Sequence, residues 1–386
     1  MNHQDVDVAI LGAGPVGSAL ALLLAGDARH PDRIGVLHSD RASVYGHETH
    51  ADPRVLAINH GSRVLLESLG AWPTRAAPIL TIHVSQRGRL GRTLISHDEF
   101  GVPALGYVVR YADLHQSLLT ALANSGVRLL KGETAQIERQ QDGLAYIRQG
   151  TLSLTAKLAV MADGHPQSEA KRTYKQMALI TQAIASRPKE GWAFERFTRE
   201  GPLAVLPHPG RPGMQSIVWC CKPERAASLQ RLDTTTFSDA LSETFGSRLG
   251  RLEVEGCIHA FPLTLNLDPE PVHGITVAIG NAAQTLHPVA GQGLNLGLRD
   301  AGMLARTLRD WLGGHPGNVA QLLSDFARDR RPDRQLTANL TDIMSRVFTT
   351  QSPLVEHAGG LALLSLDLVT GLRRPLARHL LQGLRG

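Results

Sequence analysis

A glycine-rich turn near the start of the chain has the spacing used to bind a dinucleotide. Gly12, Gly14 and Gly17 form a GxGxxG motif between an apolar segment and a helix-like segment. The first glycine permits the tight turn, the second lets a pyrophosphate approach the backbone, and the third lets helix and strand pack closely. The helix N-terminus also favours negative charge. An ordinary glycine turn can share this spacing, but the position between strand and helix favours a dinucleotide site.

The acid that usually binds a ribose hydroxyl at the end of the second strand is absent. His38 occupies that place, and Asp40 follows two residues later. Either side chain can hydrogen-bond a hydroxyl, and either can equally be a solvated loop residue. Asp163 and Gly164 end another apparent strand, where a carboxylate before glycine suits a cofactor contact or a plain turn. Both alternatives stay open from the residues alone.

A longer motif, Gly280–Asp300, runs from a strand through a polar turn and a proline loop into a helix. Gly291 and Gly293 open that helix, so the loop presents backbone N–H groups and a helix dipole to an electron-rich ligand atom. His287 lies beside this loop. A histidine before proline is more often a hydrogen-bonded structural residue than a reacting group.

Other kinds of site are excluded by composition and spacing. Three cysteines are too few for a disulfide framework, and the 17 histidines contain no HxxxH or HExxH pattern, so we expect no metal site. The net charge is +5 and the pI about 9.3. No run of five basic residues occurs and aromatic residues make up 4%, so we expect no nucleic-acid partner.

The elements around the first motif predict a doubly wound α/β domain. Asp5–Leu11 reads as a strand, Ser18–Ala25 as a helix and Ile34–Leu37 as a parallel partner strand. Arg54–Leu69 has apolar residues at helical spacing and ends before Gly70. Asp113–Ala123 is a second amphipathic helix, for which Asp113 is the expected N-cap.

The middle of the chain changes to strand-like patterns. Val127–Met161 is expected to form a small antiparallel unit, and a mostly β second domain follows from Tyr174 to Pro262 with one helix near Thr236–Phe245. Ile275–Ile279 then returns to a buried parallel strand before helices that run to the end. The first domain is therefore predicted to be discontinuous, with the second domain inserted in it.

Length and composition indicate a globular, unexported protein. The chain has 386 residues, of which 42% are hydrophobic and 19% charged. The longest strongly apolar stretch, Ala19–Ala25, is far shorter than the roughly 20 residues that cross a bilayer. Met1–Val8 carries acids where a signal peptide would carry basic residues. We expect a soluble protein of the reducing cytoplasm.

The combined motifs resemble the group A flavin monooxygenases of the p-hydroxybenzoate hydroxylase-like fold, and within them the ubiquinone-biosynthesis hydroxylases. The likeness extends over nearly the whole chain, and it is most specific for the 2-polyprenyl-6-methoxyphenol hydroxylase branch. Besides the two glycine motifs it rests on Asp52-Pro53-Arg54, Gly106–Val109, Ala162–Gly164, Ala193–Thr198, Gly201–Ala204 and Val218–Cys220.

The resemblance implies a Rossmann-like FAD-binding domain over residues 1–75, 101–173 and 265–345. It also implies an antiparallel β substrate domain over residues 76–100 and 174–264, and C-terminal helices over residues 346–386. The fold class is thus mixed α/β.

The resemblance also implies which residues contact FAD. Contacts are expected from Gly12, Ala13, Gly14, Pro15, Val16, Gly17, His38, Arg54, Asp163, Gly164 and Asn281. The isoalloxazine is expected to face Pro288 and the backbone of Gly291, Gln292, Gly293, Leu294 and Asn295. Pro288 and Gly293 are the candidates nearest the reaction, and no side chain is identified as a catalytic base.

The implied reaction is hydroxylation of 2-polyprenyl-6-methoxyphenol in ubiquinone biosynthesis. NAD(P)H would reduce FAD, and O2 would react to a flavin C4a-hydroperoxide that the ring carbon para to the hydroxyl attacks. Two alternatives stay open. One is hydroxylation at another ring position or of another phenol, and the other is a flavin-poor scaffold subunit that binds other biosynthetic proteins.

The C-terminal segment Leu354–Leu384 combines many leucines with Arg373, Arg374 and Arg378. A basic amphipathic helix of this kind can rest on an anionic membrane, which suits a polyprenyl substrate. It can equally be a helix that packs on the domain surface. The expected location is therefore the cytoplasm, with the inner face of the cytoplasmic membrane as an open alternative.

Overall fold

The computed structural model describes residues 3–39, 52–165, 171–348 and 352–382. The strands are β1 His3–Leu11, β2 Ile34–Ser39, β3 Val55–Asn59, β4 Ala77–Ile79, β5 Thr81–Gln86, β6 Arg92–Ser96, β7 Gly106–Arg110, β8 Arg128–Gly132, β9 Gln136–Gln141, β10 Leu144–Gln149, β11 Leu152–Met161, β12 Lys171–Ala185, β13 Trp192–Phe197, β14 Pro202–Pro207, β15 Met214–Cys221, β16 Leu252–Leu267, β17 Val272–His273, β18 Thr276–Ala278 and β19 Gln284–Thr285. The helices are α1 Pro15–Asp27, α2 His60–Ser68, α3 Tyr111–Ala123, α4 Pro223–Gln230, α5 Thr234–Phe245, α6 Gln292–Leu312, α7 Val319–Phe348, α8 Pro353–Leu368 and α9 Thr370–Gln382.

The first sheet has the order β17-β18-β11-β1-β2-β8 and is mostly parallel. Helices α1 and α6 pack on one face and the β9–β10 hairpin covers the other, which is why β1 is apolar on both sides. The predicted opening of strand, helix and parallel strand is confirmed. β8 is parallel to β2, so the expected antiparallel unit over Val127–Met161 is wrong for its first strand.

The second sheet has the order β19-β16-β12-β15-β14-β13-β5-β6. Every neighbouring pair is antiparallel except β13 with β5. Helices α4 and α5 cover one face through a core that includes Phe194, Trp219 and Phe237. The strand-rich region predicted from Tyr174 to Pro262 is confirmed by β12 to β16, but it holds two helices, α4 and α5, where one was expected. The predicted domain bounds at residues 76, 101, 174 and 265 stay a prediction.

A third, three-stranded sheet corrects the expected helix over Arg54–Leu69. Val55–Asn59 is strand β3, which pairs with β7, and only His60–Ser68 is helical. Val55, Leu56 and Ile58 include two β-branched residues at helical spacing, so the periodicity alone misassigned the first six residues of the predicted helix. The helix α3 also starts two residues earlier than expected. Arg110 occupies its N-cap position in place of Asp113.

A buried ionic network joins α6 to α7. Arg330 binds Asp300 at 2.7 Å and Asp333 at 2.6 Å, and all three side chains are at most 6% exposed. Arg299 adds a 2.9 Å contact to Asp333. Gln284 donates to Asp300 and accepts from Arg334. Buried charges are tolerated only when paired, so the network fixes α6 on α7.

We expect Arg330→Ala to lower the free energy of unfolding by about 3–5 kcal/mol, because it leaves buried carboxylates without their main partner. Urea titration followed by circular dichroism measures this. Arg328 lies two residues away and forms an exposed pair with Asp325. Its alanine variant is the control, with an expected change within about 0.5 kcal/mol. Equal effects of the two variants would contradict a stabilising role for the network.

The C-terminal segment forms two helices, α8 and α9, in agreement with the C-terminal helices that were expected. Helices α8 and α9 are bent by 95° around the break at Val369. Within the described ranges, no single helix has the length and apolar composition needed to cross a bilayer, and α8 and α9 meet that test only as a pair.

Candidate active site

The predicted motifs meet where parallel strands end. Leu11 of β1 lies beside Met161 of β11, which lies beside Ala278 of β18. The residues that follow these strands are therefore neighbours, because carboxyl ends of parallel strands share one edge of a sheet. Asn281 is exposed there, and its Cβ lies 3.9 Å from the position of a Cβ on Gly164. The structure thus brings Gly12–Gly17, Asp163, Gly164 and Asn281 together.

The three motif glycines have different roles. A Cβ on Gly12, whose φ is +115°, would lie 2.6 Å from the backbone of Asp163. A Cβ on Gly17 would lie 2.1 Å from the carbonyl oxygen of Gly12. Both positions are closed by the fold itself. A Cβ on Gly14, in contrast, would meet no atom within 4 Å. Gly14 therefore lines open space in which a ligand can approach the protein backbone closely.

Two helix N-termini in these motifs have the chemistry of anion sites. Helix α1 starts after Gly14 with Pro15 in its first turn, and no side chain caps it. Helix α6 starts after Gly291, again without a side-chain cap, and neither first turn carries an acid. A Cβ on Gly293 would also meet no atom within 4 Å. These open, uncapped N–H groups fit a dinucleotide with a pyrophosphate and an electron-rich ring.

Most of the remaining predicted residues at the two helix starts also pack within the protein. The side chain of Val16 packs against Gly280 and Gly297, which keeps α1 close to α6. Ala13 is 3% exposed. Leu294 packs into the core between α2, α3 and α6. Pro288, at the N-cap of a short 3-10 turn, precedes Val289 in the loop between β19 and α6.

Helix α3 adds two residues to the site that the sequence motifs do not include. His115 Nε2 donates to the carbonyl oxygen of Ala13 at 3.0 Å, and burial lowers the pKa of His115, so its imidazole is neutral. His38 is half-buried at the end of β2, with its ring centroid 6.3 Å from that of His115. The guanidinium of Arg54 lies 4.1 Å from the ring centroid of Tyr111. Tyr111 and His115 both lie in the first two turns of α3, directly after β7. This position, at the start of a helix that follows a strand, was the sequence signal that could have identified them.

The side chain of Arg54 is paired with a neighbouring acid. Its guanidinium donates to both carboxylate oxygens of Asp52, at 2.9 Å to Oδ1 and 2.5 Å to Oδ2. Asp40, the alternative ribose ligand, lies outside the described residues. His38, Arg54, Tyr111 and His115 thus form a polar group beside the glycine turn, on the side where β2 ends.

The loop between β19 and α6 is held by side chains on three sides. Asn295 donates to the carbonyl oxygens of Ala57 and Gly291, at 2.9 and 2.8 Å, and accepts from the backbone N–H of Asn59. Gln292 donates to the carbonyl oxygen of Ala290. Ala290 has φ +59°, a left-handed conformation that a non-glycine residue adopts only at a cost. The amide of Asn295 is therefore engaged, and only its backbone is available to a ring.

His287 anchors the same loop. Its Nδ1 accepts from the backbone N–H of Val289 at 3.3 Å, so its Nε2 donates to Gln176 Oε1 at 3.1 Å. Burial lowers the pKa of His287 to about 4. A neutral, fully buried histidine with these partners ties the loop to β12, which agrees with a structural role.

A row of residues crosses the second sheet on the face opposite α4 and α5. All its members are half-buried, and neighbours in the row are register partners. The row consists of Val84, Glu195, Ala204, Val218, Ile180 and His259. Four of the six are small or aliphatic, so the row forms an apolar floor with one carboxyl group. Such a surface suits a flat ring with a polar substituent.

Glu195 joins this row to the loop. Burial raises the pKa of Glu195 to about 7, and the nearby backbone N–H of Ala290 opposes the rise. The residue is half-buried, so it keeps some contact with solvent. Sequence reasoning passed over this residue because an acid in a strand has no local signal of burial.

A cavity of about 410 Å³ opens at the other end of the row. His259, the last residue of the row, lines it together with Asp52, Pro53, Arg110, Gln182 and His208. Arg211 and Glu255 also line it and pair with each other. The apolar row therefore leads from β5 to a polar cavity beside the segment that carries Arg54.

Comparison of the sequence with known families gives one consistent answer. Residues 5–340 match the family model described as FAD binding domain. The chain is 31% identical to the ubiquinone hydroxylase UbiL of Rhodospirillum rubrum, over 97% of this chain and 89% of that protein. It is 28% identical to the 3-demethoxyubiquinol 3-hydroxylase of Escherichia coli, over 99% and 100% of the two chains.

Solved structures with the same fold are also flavin-related proteins. The p-nitrophenol 4-monooxygenase PnpA of Pseudomonas putida superposes with a TM-score of 0.75, at 16% identity, over 99% of this chain and 100% of that one. HpxO of Klebsiella pneumoniae, solved in complex with FAD, superposes with a TM-score of 0.73, at 13% identity, over 99% and 100%. These likenesses establish the shared fold.

Proposed function

The chain belongs to the FAD binding domain family and to its ubiquinone-biosynthesis hydroxylases, and from that premise we propose that it hydroxylates 2-polyprenyl-6-methoxyphenol. It is an FAD-dependent aromatic monooxygenase. The proposed reaction consumes the phenol, O2, NAD(P)H and a proton, and yields the 1,4-benzoquinol, NAD(P)⁺ and water. The observation that carries the proposal is the junction of the apolar row with the loop at the start of α6, where Val84, the register partner of Glu195, and Ala290 pack in one cluster.

The residues fit FAD as the bound cofactor. Gly14 and Gly293 leave room for it, and the starts of α1 and α6 favour its negative charge. His38, Arg54, Tyr111 and His115 surround the side on which the adenosine part would lie. FAD, when bound, supplies the redox chemistry that NAD(P)H and O2 require, and the protein supplies orientation and exclusion of water.

Within this proposal Glu195 accepts the proton of the ring hydroxyl. A phenol has an ordinary pKa of about 10, and its ring is far more electron-rich after the proton has left. Glu195 has a pKa near 7, so it can hold that proton at neutral pH. The aliphatic residues of the row would position the ring, and the carboxyl group would define which end of it carries the hydroxyl.

The position of hydroxylation follows from the way the row orients the ring. The finer choice of substrate rests on the resemblance of two segments, Ala193–Thr198 and Gly201–Ala204. They form most of β13, the start of β14 and part of the turn between them, and the first of them contains Glu195. Hydroxylation of another ring position, or of another phenol, is the second candidate. It is motivated by the name of the E. coli relative, whose substrate is a demethoxyubiquinol.

The test is an assay of the purified FAD-loaded protein with NAD(P)H and three ring compounds that carry the same prenyl chain. These are the 2-polyprenylphenol, its 6-methoxy derivative and the demethoxyubiquinol. We expect kcat/KM for the 6-methoxyphenol to exceed the other values at least about tenfold, a difference of about 1.4 kcal/mol. Preference for another of the three ring compounds would make that compound the proposed substrate. Failure of the folded protein to retain FAD, together with binding of partner hydroxylases, would favour the scaffold alternative.

The place of action is part of the same proposal. A cytoplasmic enzyme that works at the inner face of the cytoplasmic membrane would meet a polyprenyl substrate where it is dissolved. Other ubiquinone-biosynthesis proteins are the expected partners, because successive ring modifications act on one poorly soluble chain.

A further inference from the structure

Helix α8 has its charged residues on the inside. Glu356 is 3% exposed and binds Arg89 and Arg199. Asp367 accepts a hydrogen bond from the backbone N–H of Leu94 at 2.9 Å. The two acids are the only charged residues of α8, and both turn toward the second sheet. A helix on a water-facing surface has the reverse arrangement, with charges outside and leucines inside.

The outward side of α8 is correspondingly apolar. Leu354, Leu361 and Leu368 follow one another at intervals of seven residues, which places them on one face of the helix, and they are 83%, 63% and 73% exposed. Leu364 on α8, Val369 at the bend and Leu372 on α9 extend this surface. No Asp, Glu, Lys or Arg lies among them.

The turn between β5 and β6 adds a fully exposed leucine to the same surface. Leu90 is 100% exposed. Its neighbours on both sides contact α8, because Arg89 pairs with Glu356 and Gly91 packs directly on Gly360. We call the set Leu90, Leu354, Leu361, Leu364, Leu368, Val369 and Leu372 the leucine face. An apolar surface of this kind, left in water, marks a binding site.

On α8, α9 and the turn that carries Leu90, the exposed charges without an ion-pair partner among the described residues are basic. Arg92, Arg374 and Arg378 are exposed and form no ion pair with any residue that the structure describes. The acids of residues 352–382 are Glu356 and Asp367, which are turned inward. An apolar surface bordered by cations complements a bilayer of anionic lipid, which offers acyl chains below and phosphate groups at the same depth as the arginines.

We propose that the leucine face binds the surface of an anionic lipid bilayer, with the leucines among the acyl chains and the arginines at the phosphate groups. The underside of α8 contacts the candidate active site. Leu363 packs with Phe197, Val289 and Phe348, and Val84 of the apolar row packs against the same group. A prenylated ring would then enter the site from the membrane, and this consequence rests on the proposed function. The docking of the leucine face on a bilayer does not depend on that function.

Flotation of the full-length FAD-loaded protein with lipid vesicles tests the proposal. Vesicles of phosphatidylglycerol with phosphatidylethanolamine are compared with neutral phosphatidylcholine vesicles. The double variant Leu361→Glu, Leu368→Glu is expected to lower binding to anionic vesicles at least about tenfold. Val64, an exposed apolar residue of α2 outside the leucine face, provides the matched control Val64→Glu, which should bind like the wild type.

A second pair of variants tests the charge. Arg374→Glu with Arg378→Glu should weaken binding to anionic vesicles several-fold and remove the preference over neutral ones. No vesicle binding by the wild type, or equal binding by the wild type and the double leucine variant, would overturn the proposal. Self-association that the leucine variant abolishes, without vesicle binding, would assign the face to a second copy instead. Retention of FAD, read from the visible spectrum, reports separately on the proposed function and on folding.

Discussion

Gly14→Glu is expected to abolish FAD binding while the protein stays folded. The new side chain would extend into the open space beside the start of α1 and place a carboxylate where the pyrophosphate must lie. We expect the Kd for FAD to rise at least about a thousandfold, which corresponds to about 4 kcal/mol. The measurement is the visible absorption of flavin retained after gel filtration, with circular dichroism as the test of folding.

Gly26→Glu is the matched control for that variant. Gly26 lies at the other end of α1, and a Cβ there would also meet no atom within 4 Å. It should therefore retain FAD like the wild type. Gly17→Ala gives a different expected result, because its Cβ would overlap the carbonyl oxygen of Gly12 and destabilise the fold itself. If Gly14→Glu retained FAD, the cofactor would not lie along this turn.

Glu195→Gln is expected to lower kcat about 10²- to 10⁴-fold, the usual contribution of a general base. Glutamine has nearly the same shape and keeps a carbonyl oxygen beside the backbone of Ala290, so KM and FAD binding should change little. Steady-state kinetics with the preferred ring compound measures this. Glu243→Gln, which alters an exposed acid of the same sheet domain, is the control and should leave kcat unchanged.

The pH profile separates a base from a merely structural residue. In the wild type kcat/KM should fall as the pH drops below about 7, because Glu195 becomes protonated there. The glutamine variant should lack this limb. The free energy of unfolding should change with pH in the opposite direction to kcat/KM. Because burial raises the pKa from 4.5 to about 7, folding loses stability as the pH rises through that window, and the variant should not. An unchanged pH limb in Glu195→Gln would exclude the carboxyl group as the base.

The local motifs and the order of the elements could be predicted from the sequence. Gly12–Gly17 lies within one turn between adjacent elements, so its chemistry depends on neighbours in the chain and not on distant contacts. The same holds for the parallel strand near Thr276–Ala278 and for the strands of the second sheet, whose alternation reflects one buried face. Val55–Asn59 shows the limit, because a short apolar run fits a strand or a helix equally well.

Only the tertiary structure decided which acids and leucines are inside and which are outside. Glu195 is an ordinary strand residue in the sequence, and its raised pKa arises from its burial in the folded protein. His115 belongs to the site because α3 packs on the carbonyl of Ala13. The leucines and acids of α8 satisfy the same helical periodicity in either orientation. The ion pairs of Glu356 with Arg89 and Arg199, and the hydrogen bond from Leu94 to Asp367, turn the acids inward. These long-range contacts leave the leucines on the outward side.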